Sequence, residues 1–532
     1  MARRIRWQIV LALAGTLFVV LLTGTAALLN AAGSLPLTGN VYVEGVIGTP
    51  RQLNPLLLLP NGPPSERDLA ALLFNGLTRP GPDGQPQPAL AERWAISPDA
   101  TAYTFTLRSG LRWHDGAPLT ADDVAWTLNA VRGDDFPGDP ALRDIWRNVR
   151  VTALDARRIE CVLSEPFAPF LAATMLPILP AHVLRDVPPS AWADQPFSRA
   201  PIGSGPFRLE QLTTGAALLR PFEGAANGRP ALDLVVLRFF ANAATANDAL
   251  RWRDVQGVAT TSAAPTSRTL RSITTGLDEY TILTFNVTDG LLADQAVRRT
   301  LAEGLDRDAL ARAFGPARTL ETPILPDTWA AAPGVALPPF DPTAAAANLD
   351  ALGWTRGPDG LRRRDDAVLR LPLLVADDAG QRRLAAAIAA QWEALGLVVE
   401  VQPLATAALN ERLVLRDFSV VLQTWRDVAD PDLFPLWHSS QAQGGANYAG
   451  LDDPELDELL VEGRITLDPA QRRRIYGDVQ RRWAELVPGL PLFQPQLVLT
   501  YDERLAPTGL ANTLSASPAG RWASVANWTM GE

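Results

Sequence analysis

Three aspartates crowd into residues 427–432 as Asp427, Asp430 and Asp432, just after Trp425 and Arg426. The preceding run, residues 418–424 (FSVVLQT), has the β-branched and apolar character of a strand. Ligands usually bind at strand ends in open α/β sheets. A carboxylate withdrawn from water there needs a cationic partner. A ligand amine can be that partner, and so can Arg426 or another arginine, while any of the three can simply cap a turn. Asp430 and Asp432 flank Pro431, and Asp-Pro favours turn initiation, which gives those two a structural use. Trp425 can wall or stack on a ligand or belong to the core. Asn447 and Tyr448 put an amide beside an aromatic ring in a Gly-Gly-Ala-Asn-Tyr loop, where Asn447 can bond a ligand's backbone or serve as a turn residue. Asn61, followed by Gly62 in the loop after the first strand region, is a candidate of the same kind.

Other chemistries find little support. The aspartate spacing fits no EF-hand loop. His114, His182 and His438 are the three histidines, they stand far apart, and no His-Glu-x-x-His occurs. There is no Gly-x-Ser-x-Gly elbow, and Ser204 between glycines reads as a turn residue. All 48 basic residues are arginine, which excludes a lysine Schiff base and a Walker-type phosphate loop. A formal net charge of −10 argues against nucleic acid as partner. The single cysteine, Cys161, lies in a strand-like run and reads as a buried thiol. No catalytic residue, metal site or cofactor is expected.

The elements that must position these groups are legible in part. At 532 residues and 47% hydrophobic content the chain is several domains' worth, with ample material for filled cores. Arg3, Arg4 and Arg6 precede an uncharged apolar run, residues 9–29, close to the roughly 20 residues that span a bilayer. Its length and the poor cleavage sites near residues 30–32 favour an uncleaved anchor over a cleaved signal peptide, and either places the bulk of the chain outside the cytoplasm. Further on, Tyr103, Phe105 and Leu107 alternate with polar residues as in a half-buried strand. Ser109-Gly110 and Asp115-Gly116 mark turns around a second short strand, and Thr120 with Asp123 forms an Asp variant of the capping box ahead of a helix carrying Val124, Leu128 and Val131. Asp294 and Asp306 read as N-caps. Residues 371–375 and 397–401 read as strands around a helix stopped at Gly396, a crossover that implies partly parallel sheet. Asp468-Pro469 opens a later helix.

The wording of residues 88–131 (PALAERWAISPDATAYTFTLRSGLRWHDGAPLTADDVAWTLNAV) resembles, nearly phrase by phrase, the bacterial extracellular solute-binding proteins of family 5, the peptide- and nickel-type receptors of ABC importers. Residues 48–55 (GTPRQLNP), 75–78 (NGLT), 201–207 (PIGSGPF) and 294–308 (DQAVRRTLAEGLDRD) resemble the same family. The resemblance covers about residues 41–505. Residues 221–227 depart from it, lacking the family's tyrosine and tryptophan.

That resemblance implies an α/β fold of two hinged lobes, of the periplasmic-binding-protein type II or Venus-flytrap kind, with an extra subdomain on lobe I. The expected division is residues 1–34 as signal-anchor or signal peptide, 38–75 as lobe I, 76–200 as the inserted subdomain, 201–288 as lobe I again, 289–489 as lobe II, and 490–532 returning to lobe I. It implies an extracytoplasmic receptor, monomeric and without enzymatic turnover, that captures a peptide or similar small solute between its lobes and delivers it to permease subunits in the membrane. Asp427 matches the family aspartate that pairs with a ligand's α-ammonium, although the loop here is one residue shorter. Asn447 and Tyr448 match a loop facing the cleft. Since some relatives carry chelated nickel, His438 is a conceivable contact. A membrane-tethered sensor or sequestering protein without a transporter is the alternative function, and an anchored hydrolase ranks last.

Overall fold

The structure, a computed structural model, describes residues 39–532 except 60–61, 82–83, 264, 289, 427–429, 511–517 and 532. The apolar run at residues 9–29 therefore lies outside the described residues. Among the described residues no helix is long and apolar enough to cross a membrane.

Twelve strands form the large sheet, numbered in chain order: β1 (Val41–Ile47), β2 (Phe207–Leu212), β3 (Ala216–Pro221), β4 (Leu234–Phe240), β5 (Gly257–Thr260), β6 (Leu270–Gly276), β7 (Glu279–Phe285), β8 (Ala317–Thr319), β9 (Arg370–Ala376), β10 (Val398–Leu404), β11 (Val420–Arg426) and β12 (Gly489–Asp502). Their spatial order is β10-β9-β11-β7-β12-β5-β1-β4-β3-β2, with β6 and β8 also paired to β12. β12 serves two neighbourhoods. Gly489 to Phe493 pair with β7, and Phe493 to Pro495 with β8. Gln496 to Asp502 pair with β6, and Val498 to Tyr501 with β5.

The apolar side chains divide the same way. One core gathers residues such as Tyr42, Leu72, Tyr103, Trp113, Phe207, Leu237, Leu499 and Trp528. The second runs from Tyr280 to Phe493. The chain passes from the first to the second at Leu277 and Asp278, between β6 and β7, and returns within β12. Fully buried Gln494 joins the two crossings: its Nε2 donates to the Leu277 carbonyl at 2.6 Å, and its Oε1 accepts from Arg318 at 2.7 Å. The Leu277 amide donates to the Pro495 carbonyl at 2.9 Å. Gly276 must lack a side chain here, because a Cβ would sit 2.3 Å from the Gln494 amide nitrogen.

Five helices matter below: α1 (Pro64–Leu73), α2 (Ala121–Val131), α3 (Ala379–Ala394), α4 (Pro454–Ile465) and α5 (Pro469–Leu486). The expected crossover is present, since β9 pairs in parallel with both β10 and β11 and α3 lies between β9 and β10 in the chain. α3 ends just before Gly396, whose φ of +99° is the left-handed conformation a stop needs. Asp294 accepts from the Ala296 amide, Asp306 from Ala309 and Asp468 from Gln471, each at 2.7–2.8 Å.

Residues 91–162 build a separate four-stranded antiparallel sheet, ordered Ala91–Ile96, Ala102–Leu107, Arg158–Val162, Arg150–Ala153. Tyr103, Phe105 and Leu107 face inward as their alternation predicts. Thr120 and Asp123 make both halves of the capping box, and Asp123 also accepts from the Ala181 amide at 3.0 Å. Burial pushes the Cys161 thiol up to about 12, so it is inert. The second short strand expected between the turns reduces to an isolated bridge, Arg112 to Pro118. The reason is that neighbouring backbone is engaged elsewhere: the His114 amide donates to the Gly203 carbonyl at 2.9 Å.

His114 ties the chain's most recognisable phrases together. Its Nδ1 accepts from the Gly203 amide at 3.2 Å, its Nε2 lies 3.1 Å from the Gly205 carbonyl, and its ring meets Phe222 edge-on. Asn75 donates to the Ser204 carbonyl at 2.7 Å. A Cβ on Gly203 would lie 1.8 Å from the Leu73 carbonyl and one on Gly205 2.4 Å from that of Leu72, so only glycine lets this loop pass against the end of α1.

The first core is closed by a buried ion triad. Arg521, 2% exposed, donates to Glu44 on β1 through Nε at 2.8 Å and to Asp68 on α1 through Nη1 at 2.6 Å. Trp522 adds a bond to Asp68 at 3.0 Å. Burial raises the Glu44 carboxyl above its ordinary range while Arg521 opposes that rise. Arg521→Met would leave two buried carboxylates without their cation and should cost about 3–5 kcal/mol. This is read as a lower urea midpoint at unchanged slope, and an unmoved midpoint would refute it.

Burial lowers the His114 imidazole to about 4, from an unfolded value of about 6.5. A depressed histidine favours the fold above its unfolded value and loses that contribution as pH falls, so stability should drop between pH 6.5 and 4 by on the order of 2–3 kcal/mol. His114→Gln, less stable at neutral pH, should show a shallower decline over that window. Equal slopes in parent and variant would show that His114 does not carry it.

Candidate ligand cleft

β11 delivers the candidate residues. It pairs with β7 in register, Tyr280 opposite Trp425 and Glu279 opposite Arg426, and so ends beside the crossing from the first core to the second. Asp427 falls within residues 427–429 and Asn61 within 60–61, so both lie outside the described residues. Trp425 and Tyr448 are both half-buried, and their rings stack with centroids 5.9 Å apart and planes 24° apart. The Arg416 guanidinium lies 4.9 Å from the Tyr448 ring centre.

The loop carrying Tyr448 is held from two sides. Arg416, at a left-handed φ of +57°, donates to the Leu413 carbonyl at 2.7 Å and to that of Gly445 at 2.9 Å. Asn447 is fully buried. Its Nδ2 donates to the carbonyls of Leu451 at 2.9 Å and His438 at 3.1 Å, and its Oδ1 accepts from the Leu451 amide at 3.2 Å. The Asn447 side chain is thus engaged within its own loop and presents Tyr448, in place of the direct ligand contact its amide suggested. The His438 ring stacks on Phe434 at 4.1 Å and its Nδ1 accepts from the Ser440 amide at 3.0 Å, another structural use. Among the described residues no group of three or more His, Cys, Asp or Glu is placed to hold a metal ion.

Asp430 and Asp432 anchor the far end of the 425–432 loop. Asp430 forms a two-pronged buried pair with Arg472 on α5, at 2.5 and 2.7 Å. Asp432 accepts from Arg464 Nε on α4 at 2.9 Å. Burial raises the Asp432 carboxyl above its usual range, with Arg464 pulling it down and Asp430 adding to the rise. These are the turn-forming, structural uses read from the Asp-Pro-Asp spacing.

A charged group at the crossing escapes sequence reading. Arg426 meets Glu279 at 3.4 Å across the β7–β11 pair. Asp278, next to Glu279, is held well above the usual carboxylate range by burial and by Glu279, with Arg426 and Arg67 pulling it back. Arg67, from α1 in the first core, is lowered by burial and by Arg426. Two arginines and two carboxylates, contributed by both cores and the crossing, therefore act on one another beside the Trp425–Tyr448 stack. Their sequence separations give no periodic signal, and the one local hint is the alternation Glu66-Arg67-Asp68, in which only Arg67 is not buried.

The chain is similar to known proteins over most of its length. The model for bacterial extracellular solute-binding proteins, family 5 middle region, matches residues 85–447. The chain is 26% identical over 486 residues to the oligopeptide-binding protein AppA of Bacillus subtilis, covering 88% of this chain and 89% of that protein. It is 30% identical over 459 residues to protein XP55 of Streptomyces lividans, covering 82% and 80%. Its fold is similar to that of the solved Bacillus subtilis AppA in complex with a nonapeptide, with a TM-score of 0.72 at 24% identity over 94% of this chain and 100% of that one.

Asn447→Ala should release the loop that carries Tyr448, at a cost of about 1–3 kcal/mol from the buried bonds lost. Hydrogen exchange reads this directly: the Leu451 amide should lose most of its protection, and full protection in the variant would show that Asn447 is not the clamp.

Proposed function

Because the chain belongs to the bacterial extracellular solute-binding proteins of family 5, we propose that it is the extracytoplasmic receptor of an ABC importer, capturing a peptide or similar small solute between its lobes and handing it to the permease without chemical turnover. The observation that supports this reading best is the double crossing at Leu277-Asp278 and Gln494, which joins two separately packed cores through two adjacent strands and so suits hinge closure. The Trp425–Tyr448 stack lies at the end of the strand beside that crossing, where a closing cleft would enclose a ligand and remove its surface from water.

In this reading Asp427 takes the ligand's ammonium group. The carboxylate would lose water as the cleft closes, and a ligand ammonium would supply the cation it then needs. Trp425 and Tyr448 form an apolar wall that accepts varied side chains. Asn61 contributes from the loop preceding α1 in lobe I, and Asn447 acts by holding Tyr448. An acidic protein field adds to the attraction for a basic peptide. The apolar run at residues 9–29 would keep the receptor at the outer face of the membrane, within reach of its permease.

Native mass spectrometry of the full chain should find a small solute co-purified with it. Calorimetry should then detect binding of trialanine and strong loss of binding for N-acetyl-trialanine. Asp427→Ala should weaken trialanine by roughly 2–5 kcal/mol if the ion pair is enclosed. An unchanged affinity would remove Asp427 from the site, whereas a preparation that neither carries nor binds any small solute would overturn the receptor reading itself.

A further inference from the structure

We propose that Arg464 is the positioning residue that holds the two lobes together at a third junction, apart from the hinge crossings, through the Phe167 ring of the inserted subdomain. Phe167 packs against the first core, and Arg464 lies on α4, whose Leu456 and Leu460 belong to the second. The Arg464 guanidinium carbon lies 5.1 Å from the centre of the Phe167 ring and 4.2 Å from that of Phe434 in its own lobe. The Arg464 carbonyl accepts from the Ala168 amide at 2.7 Å, a backbone bond across the same junction. Arg472, in the first turn of α5, acts electrostatically on Tyr103, and the Tyr103 hydroxyl lies 3.5 Å from the Phe167 carbonyl.

The division of labour follows from charge. Asp432, almost wholly buried in its own lobe and close to Asp430, needs Arg464 as its cation whatever the lobes do. The guanidinium is therefore fixed in place, with a flat face available for an aromatic ring. A planar guanidinium stacks on a ring more effectively than an ammonium does. When the subdomain arrives, Phe167 covers that face and the Ala168 amide finds its acceptor. When it leaves, the cation stays paired with Asp432, so opening leaves no unpaired buried charge. That combination makes the junction reversible.

Closure through this junction does not depend on what the cleft binds, so its test uses the full chain with no ligand added. Leu154→Cys in the subdomain and Val414→Cys in lobe II, both exposed positions, carry spin labels, while buried Cys161 stays unlabelled. Pulsed electron resonance should show mainly the shorter inter-lobe distance in this parent. Phe167→Ala leaves every bond of Arg464 to Asp432 intact and should shift the ratio of long to short distances by roughly fivefold. Arg464→Lys, which keeps a cation beside Asp432 but loses the flat face, should shift it in the same direction, and Phe167→Tyr should match the parent. Identical distance distributions in the parent, Phe167→Ala and Arg464→Lys would overturn the assignment.

Discussion

The architecture depends on one strand that serves both halves of the large sheet. β12 has to satisfy hydrogen-bonding partners in both cores along a single extended backbone, so the cores cannot drift apart, yet they can pivot where its partners change. The changeover falls at Gln494 and Pro495. Proline there offers no amide, and Gln494 turns its side chain to the antiparallel crossing at Leu277, so a side chain supplies the hydrogen bond at the changeover. The candidate cleft sits on this strip, since β7 pairs with β12 and β11 pairs with β7 in turn.

Charge is organised around the same strip. With arginine as the sole cationic side chain besides histidine, every buried ion pair uses a planar fork, and several are two-pronged or stacked on rings. Three settings bear on the cleft and the cores. Arg521 closes the first core, Arg472 and Arg464 anchor the loop ahead of the cleft, and Arg67 with Arg426 offsets the carboxylates at the crossing. Burial forces the first two sets of pairings, because an isolated charge in either place would be expelled or neutralised, whereas Arg426 is partly in solvent.

Local elements were legible because their causes are local. The alternation at Tyr103, Phe105 and Leu107, the box at Thr120 and Asp123, the caps at Asp294, Asp306 and Asp468, and the stop at Gly396 each need only a few adjacent residues. The family resemblance was legible for a different reason. The phrases around Asn75, His114 and residues 203–205 meet in one tight knot, where atoms under 3.3 Å apart leave little freedom of residue choice. The site was harder. Trp425 and Tyr448 were picked out as separate aromatic residues, but their stacking depends on a strand and a loop more than twenty positions apart. Asn447 looked like a ligand donor because an asparagine in a glycine-rich loop has the same appearance whether it faces a cleft or closes its own loop. Arg67, Asp278, Glu279 and Phe167 gave no signal at all, since what brings each to its partner is the path of the whole chain.

The buried triad has a bearing on timing. Arg521 and Glu44 stand 477 positions apart in the chain, about as non-local a contact as this protein can make. The second core, by contrast, is drawn from a continuous stretch between Tyr280 and Phe493. Lobe II can therefore consolidate from its own residues alone, while lobe I still lacks the contact that joins β1 to α1. Glu44 and Asp68 remain hydrated until Arg521 arrives. The last step of maturation is then the docking of a short terminal segment onto a nearly finished body. We expect that interval to be the one in which a chaperone or a protease has the most to hold on to.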